Sequence, residues 1–175
     1  YGMKQSERSL DPSSTTNKKN FLSVSYGLGF YSETFRSDNK LHSALRLSAG
    51  RWFSSISGIR GNLTYRNPES KRGKSRIQSF GIGGDYLMSL SNWIAGENED
   101  RKFEVIPNIG IHIDFNSLKD RKNSTTLGAR GGVLVNYKLS KQYNLFIEPS
   151  VNVLENSFDR SFGRSVKGLA ELEVG

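Results

Sequence analysis

Apolar and polar residues alternate along most of this chain, and the alternation comes in eight separate runs. NFLSVSYGLGFY (20–31) sets Leu22, Val24, Tyr26, Leu28 and Phe30 against Ser23, Ser25, Gly27 and Gly29. The same period of two recurs over 41–53, 58–66, 76–88, 103–115, 126–139, 143–154 and 165–174. A period of two is the signature of a β-strand with unlike faces. The fifth run, FEVIPNIGIHIDF, is the clearest. Its odd positions from Phe103 to Phe115 are wholly apolar, and its even positions include Glu104, His112 and Asp114.

The runs are long. Strands of ordinary globular proteins average about 5–6 residues, whereas a tilted strand crossing a bilayer needs about 9–11. The shortest run here, 58–66, already has nine. The connections alternate as well. Polar segments of about ten residues, SETFRSDNK, NPESKRGKS, NSLKDRKNST and ENSFDRSFGR, join runs 1–2, 3–4, 5–6 and 7–8. Runs 2–3 and 6–7 are joined by a few residues near Ser54–Ser57 and Ser140–Gln142, and runs 4–5 by the longer SLSNWIAGENEDRK (89–102). Alternating short turns and longer loops predict an all-β, eight-stranded antiparallel up-and-down transmembrane barrel over 20–175, with both termini on the turn side. Residues 1–19 read as a flexible polar arm without an apolar signal-peptide core.

The period does not say which face is inside. Three features favour the polar face. The non-apolar positions carry matched charges: Arg46, Arg60, Arg66, Arg130, Lys138 and Lys167 against Asp85, Glu104, Asp114, Glu148, Glu171 and Glu173. Balanced charge suits a narrow lumen filled by side chains, where an unpaired ion is very costly. Arg46, Arg60, Asp85, Glu104, His112, Asp114, Arg130, Glu148, Lys167, Glu171 and Glu173 are therefore expected to form a lumen charge network. Aromatics gather near the run ends, and Phe30, Phe53, Tyr65, Tyr86, Phe103, Phe115, Tyr137 and Tyr143 are expected to form two interfacial girdles. Glycine recurs on both faces, as close packing in a small barrel requires.

Composition narrows the chemistry. The 175 residues contain no cysteine, which excludes disulfide scaffolds, thiolate metal sites and cysteine nucleophiles. Lys and Arg number 25 against 17 Asp and Glu, a net charge of +8. Much of the excess lies in RNPESKRGKSR (66–76) and KDRKN (119–123), which have no aromatics among the basic residues, so a nucleic-acid surface is not expected. Arg72, Lys74, Arg121 and Lys122 are a candidate basic loop patch for the sugar-phosphates of lipopolysaccharide. The two histidines are His42, near a loop–strand junction, and His112, which shares a face with Asp114. GxSxG and HExxH are absent. No catalytic residue, metal or cofactor is expected, and His112 with Asp114 reads as part of a lumen hydrogen-bond network.

FLSVSYGLGFY, SFGIGGDYLM and NYKLSKQYNLFIEPSVNV resemble the strands and turns of the small OmpA/OmpX-like outer-membrane β-barrels of Gram-negative bacteria. The resemblance covers about residues 20–175 and is one of pattern. It implies a closed antiparallel barrel of short shear, an outer-membrane location and no enzymatic site. Such barrels end in an aromatic residue that the assembly machinery reads. Val174 and Gly175 stand here, so either the natural chain continues, for instance into a periplasmic domain, or its assembly signal is atypical.

The expected role is that of a structural or interaction protein, a membrane anchor or accessory subunit of a larger complex. Its expected partners are outer-membrane lipids and other outer-membrane or periplasmic proteins. The alternatives are a narrow porin-like channel, a soluble lipocalin-like carrier with its faces reversed, and a lipid-modifying enzyme.

Overall fold

The computed structural model describes residues 20–33, 36–68, 78–98, 100–118, 121–155 and 166–175. The expected basic residues Arg72 and Lys74, and the arm over 1–19, lie outside them.

Eight strands form a closed barrel in which each pairs with its sequence neighbours and the last returns to the first. They are β1 (Asn20–Glu33), β2 (Arg36–Trp52), β3 (Ser57–Pro68), β4 (Gln78–Met88), β5 (Phe103–Leu118), β6 (Arg121–Lys138), β7 (Asn144–Glu155) and β8 (Val166–Val174). Every pairing is antiparallel. Paired residues traced once around run from Ser23 through Ser48, Asn62, Gly83, His112, Gly128, Leu154 and Lys167 to Glu33. The path thus returns to β1 ten residues above its start. This stagger tilts the strands and sets the narrow bore of the barrel.

Two connections differ from expectation. β1 and β2 run on until only residues 34–35 separate them, and β5 and β6 until only 119–120 do. The segments read as ten-residue loops are largely strand. The sequence there has no period of two, but the backbone ladder continues. Register shifts at Tyr31/Glu33 and Asn116/Leu118 mark these extensions. The long connection over 89–102 contains a short helix, α1 (Leu90–Ala95), N-capped by Ser89, whose Oγ accepts from Asn92 N at 3.3 Å.

Burial settles the direction of the faces. Among the described residues twenty buried side chains are polar or charged and only five are hydrophobic. The outer wall carries Leu22, Leu47, Leu63, Ile82, Ile111, Leu127, Val151 and Leu172, all exposed. An apolar belt around the whole circumference far exceeds the few hundred Å² that a soluble monomer leaves open. It faces lipid, and the soluble-carrier arrangement, with the apolar face inward, is overturned. Phe103 to Phe115 spans about 40 Å along the strand at about 3.4 Å per residue. At a tilt of about 40° that is about 30 Å along the axis, the thickness of a bilayer's hydrocarbon core.

The aromatics lie toward the two ends of the belt. Tyr65, Phe80 and Phe115 form one cross-strand row at the loop end, the end toward which Phe30 also lies. Phe53, Tyr86, Phe103, Tyr137 and Tyr143 lie toward the turn end. There Tyr86 and Ser57 share a 2.8 Å hydroxyl hydrogen bond, and the Phe103 and Tyr137 rings meet with centroids 4.8 Å apart.

Ile111, on the lipid face near the middle of the stretch from Phe103 to Phe115, gives a direct check. Ile111→Arg is expected to destabilise the barrel in phospholipid vesicles by about 2–4 kcal/mol, measured by reversible denaturant unfolding. The same change at exposed Lys141, in the turn between β6 and β7, is expected to have little effect.

Candidate functional site

The lumen holds the densest chemistry in the molecule. It is built by parity: within each strand every second side chain enters, so even positions of β2, β3, β5, β6 and β7 and odd positions of β1, β4 and β8 share one space. Small residues leave room for large ones. A Cβ at Gly27 would lie 2.6 Å from Glu173 Cγ, and one at Gly83 would lie 2.9 Å from His112 Cβ. At Gly29 a Cβ would run into the His42 ring. Inward glycines on β1 and β4 are thus the space occupied by the charged side chains of β2, β5 and β8.

Those charges form one continuous chain of ion pairs. Arg60 binds Glu148 with both terminal nitrogens, at 2.8 and 2.7 Å, and Asp85 through Nε and Nη2, at 2.9 and 2.6 Å. Arg130 Nη2 bridges Glu148 at 2.9 Å and Glu173 at 3.2 Å. Arg46 reaches Glu173 at 2.6 Å and Glu171 at 3.6 Å. Arg66 joins Glu171 at 2.7 Å to Asp114 at 2.8 Å, and Asp114 lies 3.3 Å from His112 Nε2.

Neutral groups satisfy further carboxylate lone pairs. Asn62 donates to Asp85 at 2.8 Å, Asn108 to Glu148 at 3.1 Å, Asn152 to Glu171 at 2.9 Å and Ser25 to Glu173 at 2.8 Å. Glu148 and Asn152 have no exposed surface. Charge-assisted bonds of this kind, and the two-pronged arginine contact in particular, hold planar groups in one orientation.

Nine of the eleven side chains expected in the lumen network, all but Glu104 and Lys167, are brought into this chain, and Arg66 joins them. Glu104 faces inward near the turn-side rim, half-buried, opposite Asn136, and joins none of these pairs. Lys167 enters β8 opposite Leu154 and Glu33, and its side chain lies outside the described ones, as do those of Arg121 and Lys122.

His42 was not expected there. It is fully buried, with Nε2 3.0 Å from Glu171 Oε1. Its parity with Arg46 was the available signal.

A second feature went unread. Near the turn-side ends of their strands, Phe21, Trp52, Leu87, Ile106, Leu134 and Phe146 all point inward, and Leu87, Ile106 and Phe146 are buried. Phe21 and Trp52 stack at a tilt, with centroids 6.4 Å apart. These residues form an apolar floor beneath the ionic network. In sequence they appear where alternation lapses into apolar doublets such as Phe21–Leu22, Trp52–Phe53 and Leu145–Phe146.

Chemically the arrangement is a plug. A cavity of about 10 Å³ remains between Arg46, Asp85, His112 and Arg130, about the space of one water. His112 meets Asp114, but among the described residues no hydroxyl hydrogen-bonds to its ring. The described residues contain no cluster of three or more metal-ligating side chains.

The sequence matches no protein-family model and no curated protein. The fold matches solved structures. Neisserial surface protein A superposes with a TM-score of 0.56 at 12% identity, covering 89% of this chain and 94% of that one. The outer membrane enzyme PagL gives a TM-score of 0.59 at 12% identity, covering 89% and 97%. Ail, the attachment invasion locus protein of Yersinia pestis, solved in complex with the heparin analogue sucrose octasulfate, gives 0.54 at 11%, covering 90% and 97%. At these identities the likeness is one of fold, the small outer-membrane barrel. Similar barrels therefore include an enzyme as well as surface proteins.

Arg60 makes four hydrogen bonds to two carboxylates, Asp85 and Glu148. Arg60→Ala leaves Asp85 and Glu148 buried without their main partner and is expected to destabilise the barrel by about 3–5 kcal/mol in denaturant unfolding. Arg60→Lys, which keeps the charge but loses the fork, is expected to fall between the two.

Proposed function

We propose that this protein is a non-catalytic barrel of the Gram-negative outer membrane, acting as a structural and interaction protein: a membrane anchor or accessory subunit of a larger assembly. The observation that carries the reading is the filled lumen, with an ion-paired network above an apolar floor. A barrel blocked in this way offers solutes no continuous path, and leaves its outer wall and its two ends as the surfaces on which to act.

The positions of the histidines support the non-catalytic part. Both histidines of the sequence are inward and buried. A hydrolase that used histidine as its base on membrane lipid would present it on the wall or rim.

The loop-end partner in this reading is anionic lipid. Arg72, Lys74, Arg121 and Lys122 would engage the sugar-phosphates of lipopolysaccharide through charge attraction. The sulfated sugar analogue bound to Ail is a fact about that protein, and it lends the idea a precedent within the same fold.

Two measurements test the proposal. In planar bilayers the purified protein is expected to show no conductance steps; stable single-channel openings would replace the anchor by the channel. Changing Arg72, Lys74, Arg121 and Lys122 together to Ser is expected to reduce lipopolysaccharide retained through detergent purification, with no loss of the heat-modifiable gel band. Unchanged retention would remove the loop patch from the proposal.

A further inference from the structure

The connection between β4 and β5 is more than a turn. Its helix α1 is short, but bonds on two sides hold it. Asn92 Nδ2 donates to Ser55 O at 2.7 Å, tying α1 to the β2–β3 turn. Ser91 Oγ accepts from Val105 N at 2.9 Å, tying it to β5 below the point where β4 pairing ends. Arg101 closes the far end, donating to Asn92 Oδ1 at 2.8 Å and Gly96 O at 2.9 Å. Ser89, the N-cap, is buried, and its N–H donates to Ile56 O at 2.7 Å. A segment anchored in this way has a defined depth relative to the barrel.

The residues it presents at that depth are apolar. Trp93 is 63% exposed and Ile94 73%. Large apolar side chains are seldom held out so far by a rigid scaffold without a partner. Phe53 at the β2–β3 turn and Phe103 at the start of β5, both exposed, stand at the same end of the lipid-facing belt. Arg51, Lys102 and Lys141 are exposed there too, as are Glu97 and Asp100. A Trp with one apolar face and one N–H donor is the side chain most at home where acyl chains meet headgroups.

We propose that α1 is an interfacial anchor: Trp93 and Ile94 sit in the headgroup–acyl boundary of the phospholipid leaflet at the turn end, extending the lipid-facing belt and setting the depth of the barrel. The proposal rests on the membrane-spanning orientation of the wall.

Fluorescence tests it directly, because the sequence contains two tryptophans, Trp52 and Trp93. The Trp52→Phe protein is inserted into phosphatidylcholine vesicles, and the heat-modifiable gel band verifies insertion. Trp93 is expected to emit to the blue of its position in water, to resist iodide, and to lose more intensity to lipids brominated near the headgroup than to lipids brominated deep in the chain. Emission as in water, with iodide quenching and no bromine quenching in a correctly inserted barrel, would overturn the proposal and leave the Trp93–Ile94 face to a protein partner. Failure to insert would instead count against the membrane-spanning reading. If Trp52→Phe does not fold, the difference between the native protein and Trp93→Phe isolates the same signal.

Discussion

Arg60, Arg66 and Arg130 each bridge carboxylates from two different strands, and Arg60 does so across the bore, from β3 to β7. Such pairs have a physical consequence. In an open sheet β3 and β7 are far apart, and Arg60 and Glu148 meet only once β8 has returned to β1. Until then each ion keeps its water. After closure, water is excluded and each charge needs its partner, because a buried ion left alone costs several kcal/mol. The lumen network therefore makes the closed, correctly staggered barrel far better than a slipped one. A shift of one strand by one residue would turn that strand's inward charges toward lipid.

The rest of the interior adapts to this chain of charges. Glycines on β1 and β4 give up side-chain volume where His42, Glu173, His112 and Asp114 need it. The amides of Asn62, Asn108 and Asn152 and the hydroxyl of Ser25 occupy carboxylate oxygens that the guanidiniums do not reach. The apolar floor at the turn end limits how far water penetrates from that side, which strengthens the interactions above it. The filled interior leaves the lipid-facing wall and, at the turn end, α1 as outward surfaces.

Much of this was legible in the alternation. Eight runs predicted eight strands, and their length pointed to a membrane. The charge balance on one face pointed to a polar lumen, because six basic residues, Arg46, Arg60, Arg66 and Arg130 among them, share the non-apolar positions with six acidic ones. The strand extensions at the loop end were not legible, since the sequence there is free of period. The floor residues were visible as apolar doublets, but a doublet can end a strand as easily as fill a bore.

What the sequence by itself determined is which residues share a face, since backbone geometry alternates side chains whatever the strand pairs with. What only the tertiary structure decided is who meets whom. Arg60 and Glu148 are 88 residues apart, and nothing local relates them. Their contact follows from the ten-residue stagger of the closed barrel, a property of all eight pairings taken together. The place of α1 is of the same kind on a smaller scale: its residues are local, but its place is set by Ser55 in the β2–β3 turn and Val105 in β5, which the pairings of β3 with β4 and of β4 with β5 bring beside it.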